Sequence, residues 1–193
     1  MKMEADVVIV GTGVGGLFSA LSLPRDQKII MITKSDLESS DSFLAQGGIC
    51  MLHDKDDYDS YFEDTMKAGH YENNPKSVEV MIRSSVDVVN DLVKYGADFH
   101  REPDGSFSYT KEGAHSHHRI IFHEDVTGKE ITSTLLRNVE KLSNVTIYEH
   151  VTMVDILCKD NCCYGVVARD AENKIFPIMA NYTMLACGGI GGI

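Results

Sequence analysis

The stretch VVIVGTGVGG, residues 7–16, decides the fold of this chain. Four uncharged apolar residues, all valine or isoleucine, predict a buried strand that leads into a G-x-G-x-x-G motif and the start of a helix. In a Rossmann-type βα unit, Gly11 permits the sharp turn, Gly13 lets backbone approach a pyrophosphate, and Gly16 lets helix and strand touch. The pyrophosphate then accepts hydrogen bonds at the positive end of the helix dipole. A dinucleotide site is therefore predicted, with a plain glycine-rich turn as the alternative.

Composition and charge limit the class of protein. The chain has 193 residues, of which 43% are apolar and 24% charged, which indicates one packed domain over residues 1–193 with at most a small appendage. The sequence has no run of about 18 apolar residues, so no transmembrane helix is expected. The first predicted strand begins within a few residues of the N-terminus, which leaves no room for a signal peptide, so a cytoplasmic protein without membrane association is expected. The formal charge is −11 and the basic residues form no run, which argues against a nucleic-acid partner.

The cysteines and histidines give no metal pattern. The five cysteines include a C-x3-C-C cluster at residues 158–163, which matches no zinc spacing, and they are interpreted as free thiols without a metal or redox role. Three histidines lie between residues 115 and 118, but no helical i, i+4 pair or carboxylate partner accompanies them. No metal site is predicted.

Two segments after the first helix are candidates for cofactor contact. The pattern KIIMIT, residues 28–33, predicts a second parallel strand, whose end carries Thr33 and Lys34 where an NAD site has an acidic residue. This difference argues against an ordinary NAD site, although a hydroxyl and a lysine can hold an adenosine ribose and phosphate. Residues 39–48, SSDSFLAQGG, are predicted to form a loop that offers backbone N–H groups and the Ser42 hydroxyl, or a simple surface loop.

The middle of the chain predicts helices around a polar loop. Asn74 as N-cap, Pro75 in the first turn and Gly96 as the stop delimit an amphipathic helix. Its apolar face is predicted to belong to the core and comprises Val78, Met81, Ile82, Val86, Val89 and Val93. The segment 103–119 packs glycine, hydroxyls, a glutamate, histidines and an arginine without periodicity, and is predicted to be a polar substrate loop.

From residue 145 onward the pattern changes to short strands. The predicted strands are 145–148, 151–158, 164–170, 175–179 and 182–187. Turns at Asp160-Asn161 and Glu172-Asn173 make residues 151–180 an antiparallel β-meander. The predicted fold class is therefore α/β, a Rossmann-like domain with a parallel sheet and an antiparallel meander.

Four stretches, taken in order, carry a resemblance to a known family: VVIVGTGVGG, SDSFLAQGG, TKEGAHSHHRI and MLACGGIGG. Together they resemble the FAD domain of the succinate dehydrogenase, fumarate reductase and L-aspartate oxidase flavoproteins, and the third looks most like L-aspartate oxidase. The resemblance implies FAD as cofactor and a small dicarboxylate substrate, and it places nearly all 193 residues in an FAD-binding domain. The family's substrate-capping and C-terminal helical domains are absent, so a fragment that is inactive alone is expected.

The resemblance also implies residue roles. Near the pyrophosphate and adenosine it places Gly11, Thr12, Gly13, Val14, Gly15, Gly16, Thr33, Lys34 and Val151. Along the ribityl chain and flavin ring it places Asp41, Ser42, Phe43, Leu44, Ala45, Gln46, Gly47 and Gly48, and Gly188 and Gly189 approach the cofactor again. Glu112 matches the glutamate that meets the substrate's ammonium group, and His115 and Ser116 in the same loop are the other candidate catalytic residues.

One departure from the family concerns attachment of the flavin. Succinate dehydrogenases carry a histidine, covalently bound to FAD, five residues before the glutamine of AQGG, and here that position is Asp41. Noncovalent FAD is therefore expected.

For the intact protein the resemblance implies oxidation of L-aspartate to iminoaspartate, with dioxygen or fumarate as electron acceptor and quinolinate synthase as a possible partner in NAD biosynthesis. The alternatives are a fumarate reductase or succinate dehydrogenase flavoprotein subunit, and a nucleotide-binding module without redox chemistry.

Overall fold

The computed structural model describes residues 3–189, which form two compact units. The first unit comprises residues up to Leu44 together with those from Thr132 onward, and the second comprises Ala45–Ile131. The helices are α1 (Val14–Ser22), α2 (Asp41–Leu44), α3 (Tyr58–Ala68), α4 (Pro75–Tyr95) and α5 (Thr127–Val139). The strands are β1 (Met3–Val10), β2 (Ile29–Ile32), β3 (Ile49–Cys50), β4 (Ile120–Ile121), β5 (Val145–Tyr148), β6 (Thr152–Lys159), β7 (Cys162–Arg169) and β8 (Ile175–Leu185).

A six-stranded sheet in the order β5-β2-β1-β8-β7-β6 forms the centre of the first unit. Strands β5, β2, β1 and β8 are parallel neighbours, and α1 makes the crossover from β1 to β2. Residues 7–10 and 29–32 are buried throughout, which explains why both segments are continuous apolar runs without alternation. The predicted α/β fold with a parallel sheet is confirmed.

The antiparallel part of the sheet is the meander β6-β7-β8. Both residues of the turn Asp160-Asn161 have positive φ, 51° and 60°, as a type I′ hairpin turn requires. The prediction of two strands at 175–179 and 182–187 is wrong, because β8 runs unbroken from Ile175 to Leu185. Its first half pairs with β7 and its second half with β1, and Ile178 and Met179 pair on both sides, so the strand has no point at which to break.

The second unit contains α3, α4 and the two-stranded antiparallel pair β3-β4. Helix α4 has its predicted boundaries: the Asn74 side chain accepts hydrogen bonds from the N–H groups of Lys76 and Ser77, and Gly96 ends the helix at a φ of 100°. The buried face of α4 is Val78, Ile82, Ser85, Val89 and Leu92. Met81, expected on that face, is exposed.

Candidate functional site

The predicted glycine turn joins β1 to α1 in the first unit. Gly11 has a φ of 112°, and a Cβ there would overlap the carbonyl group of Ala186. A Cβ on Gly16 would overlap the carbonyl oxygen of Gly11 and lie 3.4 Å from the Ile9 side chain. Both positions therefore need glycine for the turn and for the close approach of helix and strand, as the motif predicts.

The helix start itself is open. Gly13 is the N-cap of α1 and offers no side chain to the helix N–H groups, and the Val14 N–H donates to Ser42 Oγ over 3.2 Å. A Cβ on Gly13 would lie 3.0 Å from Ser42 Oγ, whereas a Cβ on Gly15 would meet no protein atom within 4 Å. Chain packing therefore leaves space above Gly15, which a bound phosphate can fill against the helix N-terminus.

A crevice of about 320 Å³ opens beside this turn. It is lined by the ends of β1 and β2, by residues 39–42, by residues 151–153 and by Gly188. The Thr12 and Thr33 side chains are buried, and Lys34 is exposed at the rim. The crevice lies at the carboxyl ends of parallel strands, where open α/β sheets bind their ligands.

Thr33 and Val151 are held together through backbone. The Thr33 N–H donates to the Tyr148 carbonyl over 3.0 Å, and the Val151 N–H donates to the Thr33 carbonyl over 2.9 Å. The Val151 N–H is occupied by this hydrogen bond. The backbone group of Val151 that would hydrogen-bond with an adenine is therefore the Val151 carbonyl. Gly188, with a φ of 75°, and Gly189 follow β8; residues 190–192 of MLACGGIGG lie outside the described residues.

The predicted flavin segment 41–48 is divided between the units. Asp41–Leu44 forms the short helix α2 of the first unit, with Asp41 and Leu44 exposed and Ser42 and Phe43 half-buried. In the second unit residues 45–48 are exposed, and the Ala45 carbonyl accepts from the Gly128 N–H over 3.0 Å. A Cβ on Gly48 would overlap Ile120 and the Ile121 carbonyl, so this glycine permits the close contact with β4.

Glu112 lies against the AQGG segment within the second unit. A Cβ on Gly47 would be 3.4 Å from Glu112 Oε2 and 3.7 Å from Oε1. The glutamate side chain is exposed. The structure thus brings together Glu112 and Gly47, two predicted site residues that are 65 positions apart in the sequence, and leaves the carboxylate accessible to a cation.

Arg119 is the centre of an ionic network that the sequence did not predict. Its side chain is 0% exposed. Its Nε and Nη2 donate to the Asp57 carboxylate over 2.6 to 3.2 Å, and its Nη1 donates to Asp64 Oδ2 over 2.7 Å. The guanidinium also lies 4.9 Å from the centre of the Tyr61 ring. A buried charge held by two carboxylates and an aromatic face fixes the end of the loop formed by residues 111–119, the Glu112 loop.

The network reaches the loop through Ser116 and His115. The N–H and hydroxyl of Ser116 both donate to Asp64 Oδ2, each over 2.7 Å. His115 Nδ1 lies 3.1 Å from Arg119 Nη1 and must accept, because a guanidinium has no acceptor. The imidazole proton is therefore on Nε2, which lies 3.3 Å from Cys50 Sγ.

The charges of the network are stable near neutral pH. Burial opposes ionisation of Asp64, but hydrogen bonds from Ser116 and Arg119 outweigh it and lower the pKa of Asp64 to about 2. For Asp57 burial is likewise outweighed, chiefly by Arg119 and then by Ser60, and the pKa is lowered. Both carboxylates therefore remain ionised around the guanidinium.

A cavity of about 460 Å³ adjoins His115 between α3 and α4. Its polar residues include Cys50, Tyr61 and Asp64, and Met81 and Val88 contribute to its apolar wall. Burial raises the pKa values of the Cys50 thiol and the Tyr61 hydroxyl, so both groups are neutral.

The sequence contains only a weak indication of the ionic network formed by Asp57, Asp64 and Arg119, which was not predicted. Asp57 is the N-cap residue of α3 and Asp64 lies within the helix, seven positions further on, a spacing that places both side chains on the same side of α3. Arg119 directly precedes the buried pair Ile120-Ile121, where a lone cation requires anionic partners. Nothing in the sequence pattern links the two features, because 55 and 62 positions separate the arginine from its partners.

Residues 3–189 contain neither a cluster of metal-ligating side chains nor a helix that could cross a membrane. No group of three or more histidine, cysteine, aspartate or glutamate side chains in this part of the chain is arranged to hold a metal ion. Within the same residues, no helix has the length and apolar character needed to cross a membrane.

Comparison with known proteins gives the family. The profile described as FAD binding domain matches residues 6–192. The chain belongs to this FAD binding domain family. FAD as cofactor is therefore confirmed at the level of the family, in agreement with the open helix N-terminus and the crevice.

Relatives that match this chain include proteins named L-aspartate oxidase. One from Clostridium perfringens is 45% identical over 193 residues, and one from Clostridium acetobutylicum is 42% identical. Each match covers 100% of this chain but 44% of the relative, so the chain spans less than half the length of these proteins. Among solved structures, the quinol fumarate reductase of E. coli is similar with a TM-score of 0.91 and 27% identity, over 99% of this chain and 34% of that one.

Proposed function

We propose that this chain is the FAD-binding part of an enzyme that oxidises L-aspartate to iminoaspartate. The observation that carries the proposal is the position of the Glu112 carboxylate against Gly47 of the AQGG segment. An accessible carboxylate can pair with the ammonium group of an amino acid, whereas succinate and fumarate have no such group. The names of the relatives with 42% and 45% identity support the same substrate.

The first unit has the residues to hold the dinucleotide portion of FAD. The glycine turn and the N-terminus of α1 would receive the pyrophosphate, with Ser42 fixing the Val14 N–H beside it. Thr33, Lys34 and the Val151 carbonyl would hold the adenosine. Asp41 is an exposed carboxylate that offers no imidazole for attachment, so the FAD is noncovalent.

The second unit has the residues that would face the flavin ring and the substrate. Residues 45–48 offer exposed backbone, and Glu112 offers a charge. Ser116 and His115 have their hydrogen-bonding groups engaged with Asp64, Arg119 and Cys50, so we assign them the positioning of the Glu112 loop. Bound flavin supplies the acceptor for a hydride from the substrate, and the protein supplies orientation and charge.

The proposed reaction also needs an acceptor for the electrons and a further enzyme that consumes the product. Dioxygen or fumarate would accept the electrons, and iminoaspartate would be consumed by quinolinate synthase in the formation of the pyridine ring of NAD. The second candidate function is that of a fumarate reductase flavoprotein, which the TM-score of 0.91 to the E. coli enzyme favours.

The test uses the full-length protein. We expect it to purify with flavin absorbance near roughly 370 and 450 nm that acid precipitation releases completely, and to oxidise L-aspartate but not succinate. Oxidation of succinate without oxidation of L-aspartate would favour the second candidate, a fumarate reductase flavoprotein. A full-length protein that purifies without flavin, or that has flavin but oxidises neither compound, would favour a nucleotide-binding module without redox chemistry.

A further inference from the structure

The hairpin between β6 and β7 carries three exposed cysteines at its tip, Cys158, Cys162 and Cys163. The sequence pattern predicts no redox role for them, whereas the geometry of the hairpin favours one for two of the three. The proposed FAD site does not include them. Their positions in the ladder differ: Cys158 is directly opposite Cys163, whereas Cys162 is opposite Lys159. Residues directly opposite each other in an antiparallel pair have their side chains on the same face of the sheet. Cys158 and Cys163 therefore share a face, and Cys162 points to the other one.

The turn fixes the spacing of the pair. In a two-residue type I′ hairpin, the residues that flank the turn, Lys159 and Cys162, form the hydrogen-bonded pair. The next pair, Cys158 and Cys163, is then of the non-hydrogen-bonded kind, whose Cα atoms are about 4.5 Å apart. Disulfides need a Cα separation of about 4.4 to 6.8 Å, so the pair lies at the short end of the permitted range.

Cys163 is the more reactive member. Its Sγ lies 3.3 Å from the hydroxyl of Thr183 on β8 and 3.7 Å from the Gly165 carbonyl. The hydrogen bond with the Thr183 hydroxyl lowers the pKa of the Cys163 thiol. The thiolate is the nucleophile in thiol oxidation, and the side chain is open to solvent. Cys50 is the opposite case, because it is half-buried and its pKa is raised.

We propose that Cys158 and Cys163 are a reversible oxidation site that a hydroperoxide converts to a disulfide across the β6-β7 hairpin. The Cys163 thiolate attacks the peroxide, so that an S–O bond forms and the O–O bond breaks. The departing oxygen takes up the proton that the Cys163 thiol released on ionisation, and leaves as an alcohol, or as water from hydrogen peroxide. Cys158 then attacks the sulfenic sulfur, an S–S bond forms, and the hydroxyl leaves as water with the Cys158 proton. Two thiols lose two electrons and one hydroperoxide is reduced.

The short span makes the bond easy to reverse. Strained and exposed disulfides have higher reduction potentials than buried structural ones, so mild dithiols should reopen it. The proposal depends on the register of the hairpin and is independent of the reaction that the flavin site catalyses.

The experiment uses reduced full-length protein, treated with hydrogen peroxide in slight excess and then alkylated. Trypsin cleaves after Lys159, so the disulfide joins two separate peptides, one ending in Cys158-Lys159 and the other spanning residues 160–169. Mass spectrometry should find this joined pair about 2 Da below the sum of the two peptides, and dithiothreitol should separate it.

Cys162→Ser is the matched control, since Cys162 is equally exposed and adjacent but on the other face. It should retain the joined pair, whereas Cys158→Ser and Cys163→Ser should reduce its yield by about tenfold or more. Circular dichroism spectra matching the unmodified protein would show that the variants are folded. A joined pair that survives in Cys163→Ser and disappears in Cys162→Ser would overturn the proposal, as would peroxide treatment that yields only sulfinic or sulfonic acids.

Discussion

The glycine turn of the first unit and the Glu112 loop of the second unit are built in opposite ways. In the turn, Gly11 and Gly16 bring backbone so close to backbone that a Cβ would overlap a carbonyl group. The loop is held by side chains, with the buried Arg119 between Asp57 and Asp64. The first region should therefore be sensitive to an added atom and insensitive to pH, and the second should be sensitive to charge.

The largest expected effect is the loss of the Arg119 charge. Arg119→Met removes a guanidinium that is 0% exposed and leaves the Asp57 and Asp64 carboxylates, 7% and 16% exposed, without their main partner. Breaking a buried ion pair in this way costs about 3 to 5 kcal/mol. The free energy of unfolding of the full-length protein, from urea titration followed by circular dichroism, should fall by that amount.

Arg83 provides the matched control. Its salt bridge to Glu79 on α4 is exposed on both sides, and its guanidinium lies over the Tyr58 ring; solvent-screened surface contacts of this kind contribute little to stability. Arg83→Met should change the free energy of unfolding little. Equal losses from the two substitutions would show that the Arg119 network is not what holds the loop.

A smaller loss in the free energy of unfolding is expected when a methyl group is added in the glycine turn. Gly16→Ala places a Cβ against the Gly11 carbonyl, and overpacking of this kind costs about 1 to 3 kcal/mol. In protein freed of flavin, Gly15→Ala, one position away in the same helix, meets no protein atom within 4 Å and should stabilise α1 by up to about 1 kcal/mol. Unfolding midpoints that shift in the same direction for both variants would contradict the contact assigned to Gly16.

The pH dependence of stability should arise in the loop. The pKa of Asp64 is about 2 in the folded protein, against an ordinary value of 3.8. Because the folded pKa is the lower one, the stabilising contribution is complete above pH 3.8 and is lost as the pH falls towards about 2. The loss is about 2 kcal/mol, at 1.36 kcal/mol for each pKa unit.

Asp64→Asn removes this titration. The variant should be less stable than the unmodified protein at pH 7, and the difference between the two should shrink between pH 4 and pH 2. A stability difference that stays constant over this range would mean that Asp64 is not ionised in the network.

The contrast between the two regions also explains what the sequence could predict. The strand, turn and helix at residues 7–16 were predictable because their contacts are local and only glycine satisfies them. The α4 boundaries at Asn74 and Gly96 were predictable for the same reason. The break expected within β8, between residues 179 and 182, was wrong, because pairing with β1 on one side and β7 on the other overrides the local sequence pattern.

The Arg119 network lay beyond sequence reasoning. Its partners are separated by 55 and 62 positions, and each residue taken alone looks like a solvated charge. The polar composition of segment 103–119 predicts a substrate loop, and its histidines were considered as metal ligands. The residue that fixes the end of this segment is Arg119, which the pattern did not indicate. Long-range ion pairs need the folded chain before they can be seen.

The most direct test of the proposed function is the substitution Glu112→Gln in the full-length enzyme. The amide keeps the shape and removes the charge, and the loss of one member of a charged hydrogen-bonded pair costs about 2 to 5 kcal/mol. We predict that kcat/KM for L-aspartate falls by about 30-fold or more, since about 1.4 kcal/mol corresponds to tenfold, while fumarate reduction falls much less and the exposed control Glu102→Gln changes neither. Equal losses with aspartate and fumarate, or no loss with either, would contradict the recognition of the substrate ammonium by Glu112.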